Sequence, residues 1–270
     1  MRYKRVLTIA GSDSGGGAGV QADIKTISAC GCYAASAITA ITVQNTLGVT
    51  AVHPVPVDII EQQIAAVIED IGVDAVKIGM LHSSEVVNGV RNMLDRFPVT
   101  NVVLDPVMVS TSGHRLIEDS AIDALTNVLM PKARVITPNI PEAEILLGGQ
   151  KLTRQDELPE AAVMLAEKTG ASVLLKAGHL TEEKLVDIFY DVENKKMYEL
   201  PSVRIHTKNT HGTGCTMSSA FASMLAKGLS LPEAAAAAKQ YINDAIVAGA
   251  DYQIGNGFGP VKHFFNLWKD

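Results

Sequence analysis

Short β-branched runs alternate with helix-compatible stretches along this chain, and nearly every run stops at a glycine, an amide, a carboxylate or an ammonium. Val6 to Ala10 stops at Gly11, Ala35 to Val43 at Gln44 and Asn45, and Ala75 to Ile78 at Gly79 and Met80. Val102 to Leu104 stops at Asp105-Pro106-Val107, Val135-Ile136 at Thr137-Pro138-Asn139, and Val173 to Leu175 at Lys176. Apolar runs this short, bounded by such punctuation, read as strands buried on both faces. Helical patterns separate them, from Val20 to about Ala29, Val57 to Ile71 and Ser84 to Arg96. Repeated strand-then-helix units predict an α/β fold: a three-layer α/β/α domain with a mainly parallel central sheet. Such sheets bind ligands outside the carboxyl ends of their strands, so the polar residues above are expected along one edge. No linker, low-complexity tract or internal repeat interrupts the series, and residues 1–270 read as one domain.

Leu185 to Val192 and Lys196 to Leu200, joined by Glu193-Asn194-Lys195, have the pattern of a hairpin. Ser230-Leu231-Pro232-Glu233 is a capping box that opens a long alanine-rich helix to about Ala250, expected to be packing structure. Val261 to Trp268 is expected to form a short amphipathic helix.

A net charge of −6 with no lysine/arginine run argues against nucleic acid or an anionic membrane as partner. The apolar run behind the basic residues Met1 to Arg5 is too short for a signal peptide, and no stretch is long and apolar enough to span a bilayer. Cysteines at 30, 32 and 215 form neither a disulfide framework nor a zinc pattern, which points to a reducing cytoplasm.

Asn209-Thr210-His211-Gly212-Thr213-Gly214-Cys215 leads into helix-compatible residues from Thr216 to Lys227, closed by Gly228. Glycines that open directly into a helix gather unshielded N–H groups and the positive end of the helix dipole, which makes an anion site. At such a mouth a thiol is acidified, so Cys215 is a candidate base or nucleophile; the bland reading is a buried, inert cysteine. The other glycine cluster, Gly11 to Gly19, holds five glycines in nine residues. It fails the Walker pattern, and Gly17, Gly19 and Ala22 match the dinucleotide fingerprint without its downstream carboxylate. Asp23 either points back at a ligand or simply favours the helix N-terminus. Gln44 offers one acceptor and two donors in a plane, suited to the edge of an aminopyrimidine or amide, or else is a solvated turn residue.

A cation at Lys176, two carboxylates at Asp105 and Glu142 that could hold Mg²⁺, and an anion hole at Gly212 to Cys215 are the parts that phosphoryl transfer needs. Cys215 is placed to accept a hydroxyl proton, with the Gly11 loop and Gln44 as the acceptor pocket.

Ile9 to Asp23 and Asn209 to Cys215, with Asp105-Pro106-Val107 and Thr137-Pro138-Asn139 between them, closely resemble the hydroxymethylpyrimidine/phosphomethylpyrimidine kinases of thiamine biosynthesis, over essentially the whole chain. The resemblance implies a ribokinase-like fold and two ATP-dependent steps, from 4-amino-5-hydroxymethyl-2-methylpyrimidine to its monophosphate and then to the diphosphate. It implies that Gln44 binds the aminopyrimidine edge, with Gly11, Asp23, Met80 and Val107 around the ring. Asp105 and Glu142 would lie on the magnesium side and Asn139 and Lys176 on the triphosphate side, with Gly212, Thr213 and Gly214 as anion hole and Cys215 as base. Most ribokinase-like sugar kinases carry aspartate where this chain has Cys215. The pyrimidine kinases and a subset of pyridoxal kinases share the cysteine, which keeps pyridoxal open as an acceptor. Relatives in the superfamily are often dimers, so a homodimer is expected. Two other classes remain: a cysteine hydrolase pairing Cys215 with His211, and a non-catalytic nucleotide-binding module resting on the Gly17-Gly19-Ala22 match.

Overall fold

The computed structural model describes residues 3–108 and 117–268; Met1 and Arg2 of the basic N-terminus lie outside them. Among the described residues nine strands form one sheet, in the order β3-β2-β1-β4-β5-β6-β7-β8-β9. They are β1 (Arg5–Asp13), β2 (Tyr33–Asn45), β3 (Gly48–Pro54), β4 (Ala75–Ile78), β5 (Val102–Leu104), β6 (Val135–Ile136), β7 (Ser172–Leu175), β8 (Lys184–Asp191) and β9 (Lys196–Val203). From β2 through β1 to β7 every neighbouring pair is parallel, while β3, β8 and β9 add antiparallel edges. The chain leaves β1 toward β2 on one side and later returns to β4 on the other. That reversal opens a crevice at the ends of β1 and β4.

Alternation along the strands divides the core in two. Leu7, Ile9, Val76, Ile78, Val102, Leu104, Ile136 and Val173 face one layer, built from α2 (Val57–Ala66), α3 (Ser84–Arg96), α4 (Asp119–Ala124), α5 (Ile140–Leu146) and α6 (Leu158–Thr169). Val6, Ala75, Val103, Val135 and Leu174 face the other, built from α1 (Gly19–Ala29), α7 (Thr213–Ala226) and α8 (Leu231–Gly249). Helix α3 shows why these segments are helical. Ser83 caps its first turn, and Val86, Val87, Val90, Met93 and Leu94 recur at the spacing that buries one face. The capping box at Ser230 and Glu233 opens α8 as the sequence implied.

The structure differs from the sequence expectations in several places. β1 runs on past a register shift at Gly11 to Asp13, because Ser12 and Asp13 pair with β2 and Ser12 also bridges Gly19 instead of looping freely. β3 was not expected; it exists because the turn at Thr46–Leu47 folds Gly48–Pro54 back onto β2, leaving Ile41, Val43 and Val52 largely exposed. Helix α7 begins at Thr213, three residues earlier than expected, since Gly212 takes the left-handed N-cap conformation (φ 80°). A side chain at Gly212 would collide with the Gly17 carbonyl. Val261 to Trp268 forms turns instead of a helix, anchored by Tyr241 bonding to the His263 carbonyl and by Phe264 stacking on Trp268.

Candidate active site

A cavity of about 670 Å³ runs along the carboxyl ends of the strands. At one end Gly11, Met80, Val107 and Gln44 line it; its middle is bounded by Asp105, Asn139, Glu142, Lys176 and Gly212 to Cys215. Its far end is closed by Val203, Arg204 and Ile205 after β9 and by Ile242, Asn243 and Ile246 of α8. Helix α8, expected to be packing structure, thus also supplies a wall of the site. Its register follows from its other face, where Ala234, Ala235, Ala238 and Tyr241 enter the core.

The middle of the cavity is the most polar. Asp105 leaves β5 fully buried and accepts hydrogen bonds from Thr137 Oγ1 at 2.8 Å and Lys176 Nζ at 2.9 Å. A bridge between Asn139 and Lys176 brings the ends of β6 and β7 together. Asn139 Oδ1 caps α5 by accepting from the Glu142 N–H, and the Glu142 carboxylate accepts from the Asn139 N–H. The amide nitrogen of Asn139 is therefore the part able to meet a phosphate. Burial alone would raise the Asp105 carboxyl, but Lys176, Lys77 and the Thr137 hydroxyl hold it below the usual range. Burial pushes Glu142 up to about 7, with the Asp105 charge adding to the effect and Lys176 opposing it. Lys176 stays charged despite its burial because both carboxylates face it.

The first turn of α7 closes over this group. Gly212 has no side chain to cap the helix, so the Gly214 and Cys215 N–H groups have no intrahelical acceptor. A side chain at Gly214 would come within 3.3 Å of both Asp105 Oδ2 and Lys176 Nζ. The ion pair therefore packs directly against the turn, and a side chain there would press on it. Cys215 contradicts the expected acidified thiol: burial pushes it up to about 11, with Asp23 and Asp105 adding to the rise and Lys77 and the Gly19 N–H opposing it. Cys215 is half-buried on the cavity wall, and its partial removal from water works against the acidifying helix mouth.

At the acceptor end Asp13 organises the glycine loop. Its carboxylate accepts from the N–H groups of Gly15, Gly17 and Ala18 at 2.7, 3.0 and 2.8 Å and lies 2.8 Å from His211 Nε2. Gln44 Oε1 accepts from Thr42 Oγ1 at 3.0 Å, and its amide nitrogen is 3.4 Å from His211 Nε2. Among the described residues no hydrogen bond joins His211 to Cys215, so the cysteine-hydrolase pairing is absent. Asp23 does not line the cavity. It lies fully buried beneath, bonded by Lys77, Thr8 and Ser219.

The sequence reading missed Lys77, Asp13 with its bond to His211, and the α8 wall. Lys77 carried a signal, a lone ammonium inside the otherwise apolar strand Ala-Val-Lys-Ile. Asp13 and His211 lie 198 residues apart, and nothing local announces their contact.

The family described as phosphomethylpyrimidine kinase matches residues 13–262. The hydroxymethylpyrimidine/phosphomethylpyrimidine kinase of Rhizobium meliloti strain 1021 is 48% identical over 264 residues, 98% of each chain. The crystal structure of a phosphomethylpyrimidine kinase from Clostridium difficile 630 superposes with a TM-score of 0.78 at 44% identity, over 90% of this chain and 99% of that one. An ADP complex of Bacillus subtilis pyridoxal kinase superposes with a TM-score of 0.90 at 39% identity, over 98% of this chain and 100% of that one. Matched from its first strand to its last turns, with a ribokinase-like sheet and a strand-edge cavity, the chain belongs to the hydroxymethylpyrimidine/phosphomethylpyrimidine kinase family.

Proposed function

We propose that this protein is an ATP-dependent phosphotransferase acting twice on one pyrimidine: on the hydroxymethyl group of 4-amino-5-hydroxymethyl-2-methylpyrimidine, and then on the resulting monophosphate, as a step of thiamine biosynthesis. The observation that carries the reading is the division of one cavity into three parts. An end lined by Gln44, Gly11, Met80 and Val107 suits a planar heteroaromatic ring. A charged middle suits the transferred phosphoryl group, and a far end of Val203, Ile205, Ile242 and Ile246 with Arg204 and Asn243 suits the nucleotide base.

Gln44 would read the amino edge of the ring, its carbonyl already oriented by Thr42. Lys176, the Asn139 amide and the turn from Gly212 through Thr213 to Gly214 would hold the phosphate oxygens, with the Gly214 and Cys215 N–H groups as donors; the Thr213 N–H is already given to the Thr210 carbonyl. Cys215 would accept the hydroxyl proton in the first step. In the second step the nucleophile is a phosphate oxygen already ionised, and no base is required.

Two buried carboxylates, Asp105 and Glu142, lie near the ammonium of Lys176, which pairs with Asp105. That oxygen donor set fits Mg²⁺, which typically takes one or two carboxylates and completes its shell with water and phosphate. Among the described residues no three metal-ligating side chains gather into a protein cage. The ion would neutralise charge on the phosphate oxygens.

Pyridoxal is the second acceptor worth offering, because the pyridoxal kinase superposition is close and both acceptors are flat rings bearing a hydroxymethyl group. The reading includes residues 1–270 as one kinase domain working as a homodimer in the cytoplasm. Three free cysteines and the absence of a membrane-length apolar helix among the described residues accord with that location. The deciding experiment is ADP release from Mg-ATP with hydroxymethylpyrimidine, its monophosphate, pyridoxal or ribose. Turnover of both pyrimidines with pyridoxal weaker is the expected result. Turnover of pyridoxal alone would move the protein to vitamin B6 salvage.

A further inference from the structure

Lys77 is fully buried in the sheet, yet its side chain reaches the floor of the cavity. Alternation along β4 sends it away from Val76 and Ile78 and into the layer of α1 and α7. There its Nζ lies 2.8 Å from both oxygens of Asp23, an ion pair with neither side chain exposed. Thr8, paired with Lys77 across β1 and β4, donates to Asp23 at 2.6 Å, and Ser219 donates to it at 2.8 Å. Ser219 lies one turn beyond Cys215 on the same face of α7, so the clamp on Lys77 is tied to the helix that carries the thiol. A side chain at Gly79 would come within 2.9 Å of Nζ, and the strand ends in glycine where the ammonium lies. A desolvated ion pair contributes little to stability compared with well-packed apolar side chains, so packing alone does not explain a lysine here.

We propose that Lys77, clamped by Asp23 beneath the cavity floor, is a positioning residue that acts through Cys215: its ammonium is the fixed charge that favours the thiolate able to take the acceptor's proton. This rests on the kinase reading above. In the first step the acceptor O–H bond breaks and an S–H bond forms. The oxygen's electron pair makes the new bond to the γ-phosphorus as the bond to the ADP oxygen breaks, and the thiol later returns its proton to water. The charged groups that bear on the sulfur are Lys77 from β4, Lys176 after β7, Asp23 from α1 and Asp105 after β5, with the Gly19 N–H at the start of α1. Of the two lysines, Lys77 is the one not bonded to Asp105.

The test compares Lys77→Met with the double variant Lys77→Met/Asp23→Asn, which removes both buried charges and still folds if the single variant, left with an unpaired carboxylate, does not. Both pyrimidine steps are assayed separately. The pH profile of Cys215 alkylation by iodoacetamide is read on its own peptide, without nucleotide. In Lys77→Met the expected result is a loss of roughly 10²-fold in the first step, a much smaller loss in the second, and an alkylation midpoint about one unit higher; in the double variant, where the Asp23 charge that opposes Lys77 at the sulfur is also gone, both changes keep their direction and are smaller. Equal losses in both steps, or an unmoved midpoint, would overturn the proposal. A wild-type protein that phosphorylates neither pyrimidine overturns the kinase reading instead, and the alkylation profile still decides whether Lys77 governs the thiol.

Discussion

Asp13 Oδ2 and His211 Nε2 lie 2.8 Å apart, joining the glycine loop behind β1 to the segment that leads into α7. The same carboxylate holds three loop N–H groups, and a side chain added at Gly17 would strike the His211 ring. Acceptor loop and anion hole are therefore one mechanical unit. Burial would raise the Asp13 carboxyl, but the His211 bond and the loop N–H groups outweigh it, so its value lies below the usual carboxylate range. A depressed value contributes stability above the unfolded pKa of about 3.9, and that contribution is lost as pH falls through the folded value. Asp13→Asn should therefore lower the urea midpoint at pH 7 and flatten its fall on acidification below about pH 4. Parallel acid limbs for wild type and variant would refute this role for the carboxylate.

Removing the thiol should separate the two reactions. Cys215→Ala is expected to slow phosphorylation of the hydroxymethyl group by about 10²- to 10⁴-fold, the usual worth of general-base assistance, and to slow the monophosphate step far less. Single-turnover rates with each substrate supply the comparison. Equal losses would reduce Cys215 to a structural residue of the helix mouth.

Glu142 carries the opposite sign from Asp13. Its carboxyl, raised to about 7 from 4.5, favours the protonated form in the ligand-free protein. That stability is fully present below the unfolded value and is lost as pH rises through about 7. Glu142→Gln keeps an oxygen for the Asn139 N–H and carries no charge. Between pH 5 and pH 8 the wild-type urea midpoint should fall relative to that of the variant, and midpoints that stay parallel would count against the raised carboxyl.

Asp105→Asn should raise the Mg²⁺ concentration needed for half-maximal rate in both steps, on the order of tenfold, since the proposed ion loses a charged ligand common to both reactions. Titration of initial rates with MgCl₂ at fixed ATP measures it. An unchanged requirement would move the metal away from Asp105.

Ile246→Trp places a large ring at the α8 end of the cavity, far from Gln44. Overpacking of about 1–3 kcal/mol would raise KM for ATP roughly tenfold and leave KM for the pyrimidine near its wild-type value. A rise confined to the pyrimidine would mean that the two ends have been exchanged.

The order of short apolar strands, the parallel sheet and the gathering of Gly11, Gln44, Asp105, Asn139, Lys176 and Gly212 at one edge were legible in the sequence. Strand period and right-handed crossovers leave few other ways to fold such a chain. Lys176 against Asp105 followed from the same rule, because consecutive parallel strands end on the same side. What the residues could not declare was their enclosure. Cys215 at a helix N-terminus reads as an acidified thiol, and the fold reverses the sign by half-burying it beside Asp23 and Asp105, with Lys77 as counter-charge. Asp23 reads as a ligand residue or a helix-start carboxylate, and tertiary packing places it under the floor with Lys77, Thr8 and Ser219. Local pattern and strand direction are written in the order of residues, so sequence alone determined the architecture and which chemical groups reach the edge. Desolvation and charge pairing depend on groups up to 198 residues apart meeting in space, as Asp13 and His211 do, so only the tertiary structure decided which groups are ionised, clamped or facing the cavity.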